Sequence, residues 1–433
     1  MDTAATNTRA SPAALAPAAS MVRVIAAASI GNALEFYDIV VYGLFAAPIA
    51  HAFFPSGSAT ISLLLAWGAF GVTFLARPLG AIVLGAYADR AGRKAALTLG
   101  ILLMTLGTLL LAVMPGYATL GLPAPLGVLA ARLIQGFAVG GEFGSATAMM
   151  MEHAPRRAGF FASFQFSSQA LAGILGAGIA ILVTGTLPAA SLDAWGWRLP
   201  FVFGLLIGPV GLYIRRHVDE TPEFLAAPAI RAPIRVLLAD HGAGILLTAG
   251  LIAMATGVTY LDLLLPSYAV RQLGLPPTIS LTSLLTKSTL SLLLIPLVGH
   301  WSDRIGRTRI APFAAVAVLL LVYPGFLYLV GHPAIGTLLG LVALSTLLQI
   351  GYNAALPALM GELFPVQTRS SGMSIGYSLG VMSFGGFAPA IITWLIPHLG
   401  SIRAPSFYVI FCALVSLAAL AAVRRRPRHG AAS

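Results

Sequence analysis

The sequence predicts an all-α membrane protein, with twelve transmembrane helices in two six-helix bundles. Three observations point there. The 433 residues are 58% hydrophobic and 9% charged, against about 25% charged in ordinary soluble domains, too few charges to cover a water-facing surface. Apolar stretches near the roughly 20 residues that cross a bilayer can be drawn twelve times. One charged motif occurs twice, at 85 and again 214 residues later at 299: Gly85-x-x-x-Asp89-Arg90-x-Gly92-Arg93-Lys94, then Gly299-x-x-x-Asp303-Arg304-x-Gly306-Arg307. A repeat that long in so apolar a chain implies two homologous membrane halves rather than a solenoid.

In chain order the expected spans are 22–50, 60–88, 95–114, 126–152, 160–187 and 198–214, then 243–270, 279–302, 310–330, 334–362, 370–396 and 405–423. The longer ones allow tilt or extension beyond the lipid. Residues 1–21 form an Ala/Pro-rich tail without a signal-peptide pattern. The bundles are then 22–214 and 243–423, joined by a linker at 215–242 that Pro222 and Pro233 interrupt; 424–433 is a second tail.

The basic residues test this count. With the N-terminus in the cytoplasm, 19 of the 25 Lys and Arg fall on the cytoplasmic side. Only Arg198, Arg271 and Arg403 fall opposite, and Arg77, Arg132 and Lys287 lie inside spans. That is the positive-inside distribution, and one helix more or fewer would scramble it. The net charge of +11 thus reads as topology, not as a nucleic-acid footprint. Cys412 is the single cysteine, so no disulfide forms within the chain and nothing suggests a metal site. No nucleophile–base pair, metal spacing or phosphate loop appears, so neither an enzyme with catalytic residues nor a cofactor is expected.

The two copies of the charged motif sit at corresponding ends of the second and eighth helices. Further echoes are Gln135 with Gln349, and Glu152-x-x-Pro155 with Glu362-x-x-Pro365. Asp89 and Asp303 can accept hydrogen bonds at the end of a neighbouring helix and pair with arginine. Asp89, Arg90, Arg93 and Glu152, with Asp303, Arg304, Arg307 and Glu362, are therefore expected to latch an inner gate. The plainer alternative is a pair of solvated turns that orient helices by charge.

An ionisable side chain inside a span is costly and marks function by default. Seven qualify: Glu35, Asp38, Arg77, Arg132, Glu142, Asp262 and Lys287. At about 1.5 Å rise per residue, Glu35, Arg77 and Glu142 reach mid-bilayer. Asn32, Glu35, Asp38 and Tyr42 share one face of the first helix and are expected to face a cavity. Two carboxylates that close favour a shared proton, as a proton-coupling site needs; static pairing to Arg77 and Arg132 is the alternative. The proton-coupling candidates are Asp38, Glu35, Arg132 and Glu142. Arg77, Arg132 and Lys287 are candidate posts for a carboxylate. Asn32, Tyr42, Gln135, Gln165, Gln169, Tyr352 and Asn353 are candidate hydrogen-bonding groups, or else helix–helix glue. Asp262 and Lys287 are either a simple buried pair or part of the site.

The run Gly31-Asn32-Ala33-Leu34-Glu35-Phe36-Tyr37-Asp38 resembles the first-helix signature of the metabolite:proton symporters of the major facilitator superfamily. The resemblance continues in Arg77-Pro78-Leu79-Gly80, Arg132-Leu133-Ile134-Gln135-Gly136, Gly140-Gly141-Glu142, Trp195-Gly196-Trp197-Arg198-Leu199-Pro200-Phe201 and Glu220-Thr221-Pro222-Glu223-Phe224. Within that family the tract from Tyr352-Asn353 to Pro357-Ala358-Leu359, with Phe384-Gly385-Gly386-Phe387-x-Pro389, is most similar to citrate-proton symporters. The chain departs from the pattern at Phe36-Tyr37, where Trp-Phe is common, and in carrying Asp262 and Lys287. The resemblance implies a proton-coupled carrier of a small organic acid such as a di- or tricarboxylate, working by rocking of the two halves. It implies Asp38 and Arg132 as the proton-sensitive pair and a multi-pass place in a bacterial inner membrane, both termini cytoplasmic. The partners are then the acid, protons and lipid, with the chain acting as a monomer. A zwitterionic osmolyte or a monocarboxylate such as shikimate is the alternative cargo.

Overall fold

A computed structural model describes residues 18–91, 93–153, 157–216, 233–365 and 368–425. The side chains of Asp89, Arg90, Arg93 and Glu152 lie outside the described residues, and with them the first copy of the expected latch.

Among the described residues the structure is built of helices, with no strand. Lipid offers backbone groups no hydrogen-bond partners, so a helix that satisfies its own N–H and C=O groups is the form an apolar run takes there. Among the described residues ten helices are long and apolar enough to cross a membrane and a bent pair makes an eleventh; Thr98–Val113 is a shorter apolar helix in the remaining position. We number the spans α1 (Ala18–Leu44, continued by Ala46–Phe53), α2 (Ala59–Ala91), α3 (Arg93–Val113), α4 (Pro123–Val139 and Glu142–His153), α5 (Ala158–Thr186) and α6 (Leu199–Arg216). The second set is α7 (Pro233–Leu273), α8 (Pro277–Ile305), α9 (Arg307–Gly331), α10 (Ile335–Gly361), α11 (Arg369–Val381, then Met382–Gly386 and Ala388–His398) and α12 (Ala404–Arg425). Phe313, Leu206 and Leu320 are among the most exposed side chains, as a lipid-facing surface requires.

Three spans depart from straight helices. The two parts of α1 meet at 70°. Pro48 lacks the N–H that would bond Leu44, and its ring crowds that carbonyl, which places the bend at Leu44. Span α4 is interrupted at Gly140–Gly141. Span α11 carries a π-helical turn over Met382–Gly386, where the Tyr408 hydroxyl donates to the Phe384 carbonyl at 2.7 Å. Helix α7 starts at Pro233, ten residues before the expected span.

Two seams join the bundles, α5 along α8 and α2 along α11. Glycines let them close: a Cβ on Gly173 of α5 would collide with Ser288 of α8, and one on Gly386 of α11 with Phe74 of α2.

Candidate functional site

Among the described residues, the three cations inside spans are each held by a carboxylate. Arg77 Nη2 lies 2.5 Å from Glu35 Oε1, Arg132 Nη1 2.7 Å from Asp38 Oδ2 and Lys287 Nζ 2.5 Å from Asp262 Oδ2. Charges taken out of water are retained only when paired and hydrogen-bonded, which is why the seven intramembrane charges come together so nearly in pairs. The seventh, Glu142, is buried and close enough to Glu35 for the two carboxylates to interact.

The Asp38 pair belongs to a ring of side chains on α1, α3 and α4. Thr108 donates to Asp38 Oδ1 at 2.9 Å, Gln135 donates to the Thr108 hydroxyl at 3.1 Å, and Arg132 donates to Gln135 Oε1 at 2.7 Å. The guanidinium lies 3.7 Å over the Tyr42 ring, a cation–π contact in a dry setting. The Tyr42 hydroxyl in turn donates to the Ala66 carbonyl. Arg132 still has Nε and Nη2 without a hydrogen-bond partner, so the ring holds spare donors.

Between the bundles lies a small cavity of about 60 Å³, room for a few waters, lined by α1, α5, α7, α8 and α10. Its polar lining includes Gln169, Thr259, Lys287, Ser288, Ser291 and Asn353, and its aromatic lining Phe36, Phe166 and Tyr260. The first helix meets this cavity through Phe36, Ile39 and Val40. The stripe expected to face it points instead into its own bundle, because Glu35 and Asp38 find their arginines there. Asn32 faces α5, donating to the Gln165 carbonyl and the Ser168 hydroxyl, each at 2.6 Å. Gln165 is fully buried with neither side-chain amide atom bonded. Tyr352 also turns inward, donating to the Leu251 carbonyl at 2.5 Å. Gln135 and Glu142 lie on either side of the short α4 interruption.

At the end of the bundles bearing the α8–α9 connection, Asp303 caps α5 of the other half. Its Oδ1 accepts from Gly159 N at 2.8 Å and its Oδ2 from Phe160 N at 3.0 Å. Arg307 bridges Asp303, at 2.7 Å, and Glu362. Arg304, its neighbour in the motif, is exposed. Sequence reasoning missed the second inter-bundle contact at this end, between α4 and α11. The hydroxyls of Ser145 and Ser370 meet at 2.9 Å, Gly144 N donates to Ser374 Oγ at 3.2 Å and Ser378 donates to the Gly140 carbonyl at 3.4 Å. Next to them Phe143 and Tyr377 stack with ring centroids 3.6 Å apart. The signal was present: Ser370, Ser374 and Ser378 recur every four residues, one face of a helix. Gly372, Gly376 and Gly380 do the same on another face, and there Gly376 and Gly380 pack against Thr248 and Ile252 of α7.

Two six-helix bundles with a largely apolar cavity carrying a few polar groups at their seam are the build of a membrane transporter. The family description "Sugar (and other) transporter" matches residues 24–231 and "Major Facilitator Superfamily" residues 286–433. The chain is 36% identical to a citrate-proton symporter of Klebsiella pneumoniae, over 92% of this chain and 90% of that one. It is 31% identical to the glycine betaine/proline/ectoine/pipecolic acid transporter OusA of Dickeya dadantii, over 91% and 81%. The proton:xylose symporter XylE bound to 6-bromo-6-deoxy-D-glucose superposes with a TM-score of 0.77 at 15% identity, covering 95% of this chain and 97% of that one, a likeness of fold. The chain belongs to the major facilitator superfamily and, within it, to the metabolite:proton symporter family.

Proposed function

We propose that the chain imports a small di- or tricarboxylate, with citrate as the first substrate to try, together with protons across a bacterial inner membrane. The observation that carries this is the set of three carboxylate–cation pairs in the interior, one of which reaches the inter-bundle cavity through Lys287. A proton arriving at Asp38 releases Arg132, whose unbonded Nε and Nη2 are ready for a new acceptor. Glu35 and Arg77 form a second such switch, with Glu142 as its neighbour. The substrate occupies the cavity among Gln169, Lys287 and Asn353. In this reading the end latched by Asp303 is cytoplasmic, and rocking of the halves parts Asp303 from α5 and the serines of α11 from α4.

A second reading, a zwitterionic osmolyte, draws support from the aromatic lining Phe36, Phe166 and Tyr260, since aromatic faces attract quaternary ammonium groups. Uptake of labelled citrate and labelled glycine betaine into proteoliposomes under an inward proton gradient separates the two. Accumulation of citrate that Asp38→Asn abolishes supports the carboxylate reading; accumulation of betaine alone overturns it.

A further inference from the structure

Two spaces meet at the Asp262–Lys287 pair. Lys287 lines the inter-bundle cavity. Asp262 lines a separate narrow crevice of about 40 Å³ between α7, α9, α10 and α12, walled by side chains such as Leu265, Val318, Phe326 and Leu348. Ser345 is the other polar side chain of that crevice among the described residues. Among the described residues no second charge lines either space, and the remaining titratable group of the cavity lining is the Tyr260 phenol. Helix α12 brings Tyr408 and Cys412 against α7 at Gly257, more than a turn away, and α11 meets α7 through Gly376, Gly380 and Gly385. A carboxylate entering the cavity therefore meets one ammonium, and that ammonium already holds a carboxylate.

We infer that Lys287 is the post for a substrate carboxylate, that Asp262 holds the post in the empty carrier, and that a proton joins Asp262 when the two anions exchange. This inference rests on the carboxylate reading above. The substrate takes the Nζ–H bonds that Asp262 gives up. The freed carboxylate is left against an apolar wall, where an unpaired charge is not tolerated. It takes one proton from the aqueous phase that delivered the substrate and becomes a neutral acid. On the other side that proton leaves, Asp262 recaptures Lys287, and the substrate is displaced. This step is separate from the Asp38 ring, which lies in the other bundle. The compact ammonium, unlike a guanidinium fork, accepts a carboxylate in many orientations, which suits several acids of differing length.

The test is citrate binding to purified protein in detergent by calorimetry, with proton uptake read by a pH indicator in weakly buffered solution. K287Q is expected to weaken citrate binding about ten- to a hundredfold, while K287R holds it within about threefold. D262N is expected to bind citrate more tightly than wild type and to take up one proton fewer. The double variant D262N/K287Q has a neutral pair that folds without an orphaned charge, and it is expected to bind as weakly as K287Q. Wild-type affinity in the double variant makes the pair merely structural and overturns the inference, as does unchanged proton uptake in D262N. Wild-type protein that neither binds nor accumulates citrate sinks the carboxylate reading itself. Wild-type protein that does both, beside an unimpaired K287Q, sinks this inference alone.

Discussion

Replacing Asp303 by Asn is expected to unlatch the closed end of the carrier without unfolding it. The carboxylate accepts two backbone amides of α5, at 2.8 and 3.0 Å, and its side chain is 10% exposed. Asn keeps one acceptor oxygen, loses the other, and removes the negative charge from the α5 N-terminus. A hydrogen bond to a charged group contributes about 1.5–3 kcal/mol, and a carboxylate at a helix N-terminus about 0.3–1 kcal/mol. The Arg307 pair lies within one bundle and is the same in both states, so it drops out. The closed state should lose roughly 2–3 kcal/mol, a population shift of about thirty- to a hundred-and-fifty-fold. The chain supplies its own assay background, because its one cysteine, Cys412, is buried. In a Cys412→Ser protein, Ala358→Cys places a thiol in the fully buried contact with Met151, Ala158 and Ala162. Its maleimide labelling rate in inside-out vesicles then reports opening at this end. Labelling at the same rate with and without Asp303→Asn would refute the latch.

Three other substitutions probe different parts of the argument. Asp38→Ala strands the Arg132 guanidinium, which is 1% exposed; breaking a buried pair costs about 3–5 kcal/mol. It should lower the melting temperature in detergent well below that of Asp38→Asn, and equal melting points would contradict the ring described above. Gly136→Val puts a Cβ into the Thr73 carbonyl, whereas Gly178 has open space around it. The first should cost about 1–3 kcal/mol or more by overpacking and collapse the monodisperse gel-filtration peak, while Gly178→Val leaves that peak intact. Phe143→Ala removes an aromatic stack that bridges the bundles, worth about 0.5–1.5 kcal/mol beyond its area. Labelling at Ala358→Cys should then rise several-fold, and an unchanged rate would show that the stack does not hold this end shut.

How far the molecule could be read in advance depended on what each signal encodes. Glu35, Asp38, Arg77, Arg132, Asp262 and Lys287 stood out because a charge in an apolar run has few tolerable fates, and the structure gives each of them a partner. The twelve spans were legible from length and hydropathy, since lipid imposes both. What a given polar residue faces was much less so. Periodicity assigns faces only along an unbroken helix and does not say which face meets the cavity. Thus Tyr42 and Tyr352 proved to bond backbone carbonyls inside their own bundles. The Thr108 bridge to Asp38 depends on where α3 lies beside α1, a tertiary fact that no local pattern carries.

The two stripes of α11 have different mechanical characters. Its glycines bring backbone against α7 so closely that a single added carbon at Gly376 or Gly380 has no room; surfaces matched that tightly move as one body. Its serines meet α4 through hydroxyls, whose hydrogen bonds contribute only about 0.5–1.5 kcal/mol each and rotate readily to other acceptors. One helix is thus riveted on one side and fastened by hooks on the other. Load applied to this seam should part the hooks before the rivets, so that α11 stays with α7 when it leaves α4.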